Sequence, residues 1–224
     1  PPEADLYFID ELFSGFRDCA AYYGTRILGG DTDSHQELTV TGTALGWVEK
    51  ELVLRRSGAR PGDLLCTTGS LGGAGGGLYA WREERLDSPL IQKLLEPEPR
   101  LAEGRALAKS GAVTAMMDSS DGLALSLSDL SAASRVGFVV YEERLPLAEG
   151  LEEMVGLDRA VEMALGAGGD FELVYTVGRE KLEAARQACQ LTVIGEVVKE
   201  GIWRERDGER MRLEARGYEH MIGI

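Results

Sequence analysis

The interleaving of helical and strand-like segments is the feature of this sequence that most constrains its fold. Apolar residues at helical spacing predict helices over residues 5–23, 74–84, 101–109, 122–134, 158–165 and 179–189. Short apolar or alternating runs predict strands over residues 25–28, 37–48, 64–68, 113–117, 137–141, 171–177 and 191–198, and then a hairpin that turns at Asp207-Gly208. Because the two kinds of segment interleave without strict alternation, the sequence predicts an α/β to α+β fold with a mixed sheet.

A stretch rich in helix and strand breakers, Ser57–Asp63, indicates a domain boundary. The one helix and two strands predicted before it are too few for an independent domain, whereas a full set of elements follows. We therefore expect residues 1–54 to be part of one domain and residues 55–224 to form a nearly complete α/β domain.

The chain is strongly acidic, with a formal net charge of −14 over 224 residues. Such a charge repels phosphate backbones, so nucleic acid is not an expected partner. A free nucleotide would be repelled too unless cations mediated the contact, so a phosphate-bearing ligand would imply a metal ion.

The three cysteines are widely spaced and odd in number, so they predict neither a disulfide framework nor a zinc knuckle. We expect all three to be reduced, small buried hydrophobes, as in a cytoplasmic protein. No apolar run reaches the roughly 18 residues that a membrane helix needs.

A glycine-rich stretch, Gly69–Gly77, directly follows a predicted strand. Glycines allow backbone amides to approach a phosphate, but the Gly-x-x-x-x-Gly-Lys-Ser/Thr pattern is missing, and Gly75-x-Gly77-x-x-Ala80 fits a dinucleotide-binding pattern only loosely. A tightly packed connection between a strand and a helix is the favoured interpretation.

A second cluster, Asp118-Ser119-Ser120-Asp121-Gly122, lies where a predicted strand leads into a helix. Two carboxylates and a hydroxyl beside a helix N-terminus suit Mg²⁺ bound together with a phosphate. Ser120 and Asp121 are also good N-cap residues, so helix capping remains an equal alternative.

Three more segments each allow an ordinary interpretation and a functional one. Gly29–Asp33 is either a simple turn or a strand end that presents Asp31, and Gly166–Leu173 is either a site loop or a loop entering a strand with Glu172 in solvent. Near the C-terminus, the aromatic ring of Tyr218 either packs on the core or stacks on a flat ligand.

Together these motifs resemble the thiamine-monophosphate kinase family, within the superfamily of aminoimidazole-ribonucleotide synthetase, selenophosphate synthetase and the hydrogenase-maturation dehydratase. The resemblance spans nearly the whole chain. The matching stretches, in order, are Gly29–Thr32, Leu54–Asp63, Thr68-Gly69-x-Leu71-Gly72, Pro97-x-Pro99-Arg100, Met117-Asp118-x-Ser120-Asp121-Gly122-Leu123, Gly168-x-Asp170-Phe171-Glu172-Leu173 and Gly217-Tyr218-x-His220.

The resemblance implies transfer of the γ-phosphoryl group of ATP to thiamine monophosphate, with several Mg²⁺ ions and no covalent or acid–base catalyst among the residues here. It implies particular roles for nine residues: ATP contacts by Gly30, Asp31, Arg56 and Ser120, metal ligation by Asp31, Asp118 and Asp121, and substrate contacts by Gly169, Asp170 and Tyr218.

Two departures from the family pattern bear on these expectations. Gly169 stands where the family usually has a glutamate that we associate with the substrate. The family's N-terminal half, with further metal and nucleotide ligands and the usual dimer interface, does not appear in this sequence. We therefore expect a two-domain synthetase-like fold with most of the N-terminal domain absent, a homodimer formed through that domain, and no activity from the 224-residue chain alone.

Other functions remain open at this point. A sibling enzyme could use a different acceptor, although the hydrogenase-maturation enzyme would need a C-terminal cysteine where this chain reads Met221–Ile224. A non-catalytic nucleotide-binding relative would not need the clustered Asp31, Asp118 and Asp121. A dinucleotide-binding protein would have to depend on the weak Gly75 to Ala80 pattern.

Overall fold

The structure is a computed structural model that describes Pro1 and residues 4–217. The chain forms two compact units that divide between Trp47 and Val48. This division lies before the domain boundary that the sequence predicts after residue 54, and that boundary stays a prediction.

The first unit contains one long helix, α1 (Leu6–Tyr22), as predicted. The Asp5 carboxylate caps it by accepting a hydrogen bond from Phe8 N at 2.7 Å, and Gly24, with φ +69°, follows its end. The strands predicted over residues 25–28 and 37–48 are wrong, since this unit has no strand in its described residues. An extended segment becomes a strand only when a neighbour pairs with its backbone groups, and the described part of this unit offers no such neighbour.

The second unit is built on a mixed seven-stranded sheet flanked by helices, which confirms the predicted fold class. Its strands are β1 (Leu64–Thr67), β2 (Val113–Asp118), β3 (Gly137–Tyr141), β4 (Leu173–Val177), β5 (Thr192–Val198), β6 (Ile202–Arg206) and β7 (Glu209–Arg212). Their order is β2-β4-β1-β5-β3-β6-β7, and all neighbours are antiparallel except the parallel pair β3 and β6.

Seven α-helices surround this sheet in the described part of the second unit. They are α2 (Gly73–Arg82), α3 (Leu90–Leu95), α4 (Leu101–Ser110), α5 (Leu123–Ser134), α6 (Leu151–Val155), α7 (Leu157–Gly166) and α8 (Leu182–Ala188). Short 3₁₀ turns lie at Lys50–Leu52, Glu142–Arg144 and Arg179–Lys181. The sequence did not predict α3 and α6, because elements of six and five residues are too short for a clear helical period. None of the helices in the described residues is long and apolar enough to cross a membrane.

The sheet is buried on both faces along its central strands, whereas the residues of β7 are exposed. Successive side chains of a strand point to opposite faces, so Leu65 and Cys66 of β1 belong to different core clusters, and Val174 and Tyr175 of β4 divide in the same way. The first cluster includes residues of α5 and α7, and the second includes residues of α4 and α8. Burial raises the pKa of the Cys66 thiol to about 12, as suits a small residue of the core. The prediction that all three cysteines are buried is wrong, since Cys19 is exposed and Cys189 is only half-buried.

The glycine-rich stretch is a packing device, as the favoured interpretation predicts. A Cβ atom added at Gly76 would lie 2.7 Å from Leu151 Cδ1 and 2.9 Å from Leu90 Cδ1, and one added at Gly77 would collide with the Leu90 carbonyl oxygen. The glycines therefore allow α2 to approach α3 and α6 closely. The strand before them, β1, has two antiparallel neighbours, unlike the parallel sheet that a dinucleotide-binding motif requires.

Substitution of two helical glycines tests this packing. We expect Gly77→Ala to lower the free energy of unfolding by about 2 kcal/mol or more, because the new methyl group meets backbone that cannot move freely. Gly104→Ala in α4 is the matched control, since its Cβ would meet only Leu173 Cδ1 at an ordinary 3.5 Å. The control should gain up to ~1 kcal/mol of helix propensity. Urea unfolding measures both, and equal effects of the two substitutions would contradict the packing role.

Candidate active site

Three connecting segments meet at one end of the sheet because β4 pairs with both β1 and β2. Asp118, the last residue of β2, is in register with Leu173, the first residue of β4, and Thr67 at the end of β1 is in register with Val174. The residues that follow β1 and β2 therefore lie beside those that precede β4. We refer to them as the β1 turn (residues 68–72), the acidic turn (residues 118–122) and the glycine loop (residues 166–172).

The acidic turn is a tight connection that leads into α5. Gly122 N donates to Ser119 O at 3.1 Å. Gly122 has a φ of +103°, and a Cβ atom added to it would lie 2.9 Å from the carbonyl oxygen of Gly166. The Ser126 hydroxyl donates to Asp118 O at 3.1 Å and Gly122 O at 2.9 Å, which joins the turn to the first turn of α5. Position 122 therefore requires a glycine.

The capping interpretation of the acidic turn is wrong. The N-cap of α5 is Gly122, and no side chain caps this helix. Among the described residues, the side chains of Asp118, Ser120 and Asp121 have no hydrogen-bond or ion-pair partner, while the Ser119 hydroxyl is buried without one. The carboxylates of the half-buried Asp118 and the exposed Asp121 are thus uncommitted.

These two carboxylates fit one way of binding Mg²⁺. The described residues contain no group of three or more His, Cys, Asp or Glu side chains that could hold a metal by themselves. Mg²⁺ usually keeps several waters and is bound through one or two carboxylates together with substrate phosphates. Asp118 and Asp121 suit such a shared site, and metal ligation by them stays a prediction.

The glycine loop is hydrogen-bonded to both neighbouring turns. Gly169 N donates to Ser120 O at 2.8 Å, and the Asp170 carboxylate accepts from Gly72 N at 2.6 Å and Ala74 N at 2.9 Å. Burial raises the pKa of Asp170, while those backbone hydrogen bonds oppose the shift. Asp170 therefore occupies amides at the start of α2 that could otherwise bind a phosphate.

The backbone of Gly169 explains why a glycine stands there. Its φ is +99°, a region that other residues rarely adopt, and an added Cβ would lie 3.0 Å from Ala74 Cβ. A glutamate at this position would therefore be strained. The predicted substrate contacts of Gly169 and Asp170 remain predictions.

Glu172 is buried, so the interpretation that placed it in solvent is wrong. The residue is 4% exposed, and its carboxylate accepts from Arg100 Nε and Nη2, both at 2.7 Å, and from Thr68 Oγ1 at 2.6 Å. These charge-assisted bonds raise the pKa of Arg100. Sequence reasoning gave neither Arg100 nor Thr68 a role. The available signal was that Pro97-x-Pro99-Arg100 and the segment containing Glu172 both belong to the matching motifs.

The remaining predicted residues lie elsewhere. Arg56 is exposed, and its guanidinium pairs with the Asp129 carboxylate on α5 at 3.0 Å. Gly30 and Asp31 belong to the first unit, in an exposed segment where the Asp31 carboxylate accepts from Thr32 N at 2.9 Å. Tyr218 lies outside the described residues.

Comparison with known proteins supplies a family for this arrangement. The model described as "AIR synthase related protein, C-terminal domain" matches residues 60–205, and the model described as "AIR synthase related protein, N-terminal domain" matches residues 1–48. The thiamine-monophosphate kinase of Methanospirillum hungatei JF-1 is 41% identical over 210 residues, which cover 94% of this chain and 68% of that protein.

Two solved structures resemble the chain over most of its length. The crystal structure of thiamine-monophosphate kinase from Stenotrophomonas maltophilia K279a has a TM-score of 0.79 and 31% identity, over 93% of this chain and 69% of that one. The structure of AaThiL complexed with AMPPCP and TMP has a TM-score of 0.79 and 25% identity, over 99% of this chain and 71% of that one. This chain therefore spans 68% to 71% of the length of these three relatives.

The structural role of Asp170 can be tested by its removal. We expect Asp170→Ala to lower the free energy of unfolding by about 1–3 kcal/mol, because two partly buried amides lose their acceptor. Asp158→Ala, which removes an exposed carboxylate paired with Arg206, is the control and should cost no more than about 1 kcal/mol.

The loss of stability caused by Asp170→Ala should depend on pH in a definite direction. Since the pKa of Asp170 is raised in the folded state, the folded chain holds this proton more tightly than the unfolded chain does. The stability that depends on this carboxyl is complete below the ordinary aspartate pKa and declines as pH rises through the raised value. Urea unfolding across that interval should show the loss caused by Asp170→Ala becoming smaller, and a growing loss would contradict the raised pKa.

Proposed function

The chain belongs to the thiamine-monophosphate kinase family of AIR synthase related proteins, and on that premise we propose that its protein phosphorylates thiamine monophosphate with ATP to give thiamine diphosphate. The observation that carries the proposal is the pair of uncommitted carboxylates, Asp118 and Asp121, at the turn into α5. The solved relative complexed with AMPPCP, an ATP analogue, and TMP supports both substrates.

The chemistry needs positioning and charge neutralisation more than a covalent catalyst. An oxygen of the acceptor phosphate forms a bond to the γ-phosphorus of ATP while the bond between that phosphorus and the bridging oxygen to the β-phosphate breaks, which releases ADP. The acceptor oxygen is already anionic, so it needs no strong general base. The difficulty is to bring two polyanions together beside a chain of net charge −14.

Bound metal ions would reduce the repulsion between the two polyanionic substrates and the acidic chain. Asp118 and Asp121 would hold Mg²⁺ in the second unit, and Asp31 would hold Mg²⁺ in the first. When bound, Mg²⁺ would neutralise charge on the polyphosphate oxygens. Each aspartate's part is to fix a carboxylate oxygen in place before the substrates arrive.

The remaining roles concern the organic substrates. We propose that Gly30 and Ser120 contact ATP and that the Arg56 guanidinium contacts its phosphates, because a planar guanidinium can bind phosphate oxygens through two hydrogen bonds at once. For the acceptor, we propose contacts from Gly169 and Asp170 in the glycine loop, and stacking of its ring on Tyr218.

Several broader properties accompany this function. We propose that residues 1–54 belong to an ATP- and metal-binding N-terminal domain, that the protein is a homodimer, and that it works in the cytoplasm. Its partners would be small molecules, since the negative charge disfavours nucleic acid. The match of residues 1–48 to an N-terminal domain model supports the first of these proposals.

An assay of ADP release from Mg-ATP tests the function directly. The full-length protein should release ADP only when thiamine monophosphate is present, and Asp118→Asn should lower kcat by about 100-fold or more, because a group that stabilises charge in the transition state is lost. Asp158→Asn, an exposed aspartate on α7, is the control that should retain activity.

The other outcomes of that assay are also informative. ADP release that is indifferent to thiamine monophosphate would replace the proposal with a sibling enzyme that uses another acceptor. Full activity of Asp118→Asn would remove the metal role of that carboxylate.

A second substitution tests the nucleotide contact. We expect Arg56→Gln to raise the KM for ATP by about tenfold, the equivalent of one charge-assisted hydrogen bond, with a smaller effect on the KM for thiamine monophosphate. Arg179→Gln is the matched control, because Arg179 is equally exposed and also pairs with a carboxylate, that of Glu196. Equal KM values for Arg56→Gln and the control would contradict the contact.

A further inference from the structure

We propose that the ion pair between Arg100 and Glu172 is a positioning unit that holds the acidic turn in its metal-binding geometry. The inference rests on the proposed function, because it concerns the same carboxylates. Neither Arg100 nor Glu172 would touch a substrate or a metal ion. They would act through the backbone that carries Asp118 and Asp121.

The first step in the argument is that the Glu172 side chain is fixed from three directions. Arg100 donates through Nε and Nη2 to its two oxygens, and Thr68 Oγ1 donates a third hydrogen bond. The bidentate geometry restricts the carboxylate in both position and orientation. An added Cβ at Gly69, with φ +47°, would collide with this carboxylate, so the β1 turn also encloses it.

The second step is that the Glu172 backbone is bonded directly to the acidic turn. Ser119 N donates to Glu172 O at 2.8 Å, and Gly169 N donates to Ser120 O at 2.8 Å. The acidic turn is thus hydrogen-bonded to the glycine loop at two consecutive residues that lie between Asp118 and Asp121. A shift of the Glu172 backbone would move both carboxylates.

The third step is that the glycine loop holds an unfavourable backbone. Phe171 has φ +53°, which costs a residue with a side chain about 1–2 kcal/mol, and Gly169 also has a positive φ. Such a conformation persists only when its surroundings impose it. Here Asp170 is held by the start of α2 and Glu172 by Arg100, so contacts on both sides of Phe171 maintain its backbone.

A role in stability alone accounts poorly for this pair. Removing two charges from water is costly, and replacing a buried ion pair with apolar residues is often neutral or stabilising. The side chains of Arg100 and Glu172 are only 14% and 6% exposed, so this pair bears such a desolvation cost. The geometry points to precise placement of the neighbouring turn as what the pair contributes.

The test compares two buried glutamates in the full-length protein. Glu172→Gln keeps the size of the side chain but removes the charge that binds Arg100. Glu142→Gln is the matched control, because Glu142 is also 4% exposed and also pairs with arginine, but it lies in the 3₁₀ turn after β3, outside the three segments of the site. Mn²⁺ serves as a spectroscopic substitute for Mg²⁺, and electron paramagnetic resonance measures the concentration of free Mn²⁺.

We expect Glu172→Gln to weaken Mn²⁺ binding by about 10- to 100-fold, the usual effect of removing a group that orients a metal ligand, and to raise the Mg²⁺ concentration needed for half-maximal activity to a similar extent. The control should lose thermal stability without either change. Arg100→Lys keeps the positive charge but loses the bidentate geometry of the guanidinium, so its Mn²⁺ binding should be intermediate between those of Glu172→Gln and Glu142→Gln. It also provides a folded variant if Glu172→Gln unfolds.

The outcomes separate this inference from the proposed function. If Glu172→Gln and Arg100→Lys bind Mn²⁺ as the control does, the positioning role is overturned even when the unmodified protein phosphorylates thiamine monophosphate. If the unmodified protein shows no such activity but Mn²⁺ binding weakens selectively in Glu172→Gln, the proposed function fails and the positioning role stands.

Discussion

The candidate active site depends on one constraint, the antiparallel pairing of β4 with both β1 and β2. That pairing places Leu173 beside Asp118 and Val174 beside Thr67. Residues far apart in the chain thereby become neighbours: Thr68 and Glu172 share a hydrogen bond across 104 positions of sequence. Because a slip of one residue would turn the side chains of β4 to the opposite face, the buried cores on both faces of the sheet protect the register of the site as well as the stability of the fold.

Charged groups have two distinct uses at this end of the sheet. The carboxylates of Asp170 and Glu172 accept hydrogen bonds within the protein, from the amides at the start of α2 and from Arg100 respectively. Those of Asp118 and Asp121 have no partner among the described residues. Because the carboxylates of Asp170 and Glu172 are already engaged within the protein, Asp118 and Asp121 are the better candidates for metal ligation.

The sequence predicted the local features of this fold well and the non-local ones poorly. The helix predicted over 122–134 and the strand predicted over 137–141 follow from spacing between near neighbours, and the structure confirms both, with the helix observed at Leu123–Ser134. The strands expected over 25–28 and 37–48 are wrong because a strand depends on a partner that its own residues cannot specify. Glu172 was assigned to solvent as one alternative for the same reason. Only the fold brings Arg100 to it, since no spacing rule connects positions 72 residues apart.

The same non-local packing bears on how the acceptor is recognised. Gly169 lacks a side chain, and its positive φ and the closeness of Ala74 disfavour any other residue there. The oxygens of the neighbouring Asp170 are engaged by Gly72 N and Ala74 N. The glycine loop can therefore offer an acceptor its backbone and its shape, but little free charge. In the function proposed here, the negative charge of a phosphate acceptor would therefore be met by cations bound outside this loop, and the uncommitted carboxylates of the adjacent acidic turn would hold them.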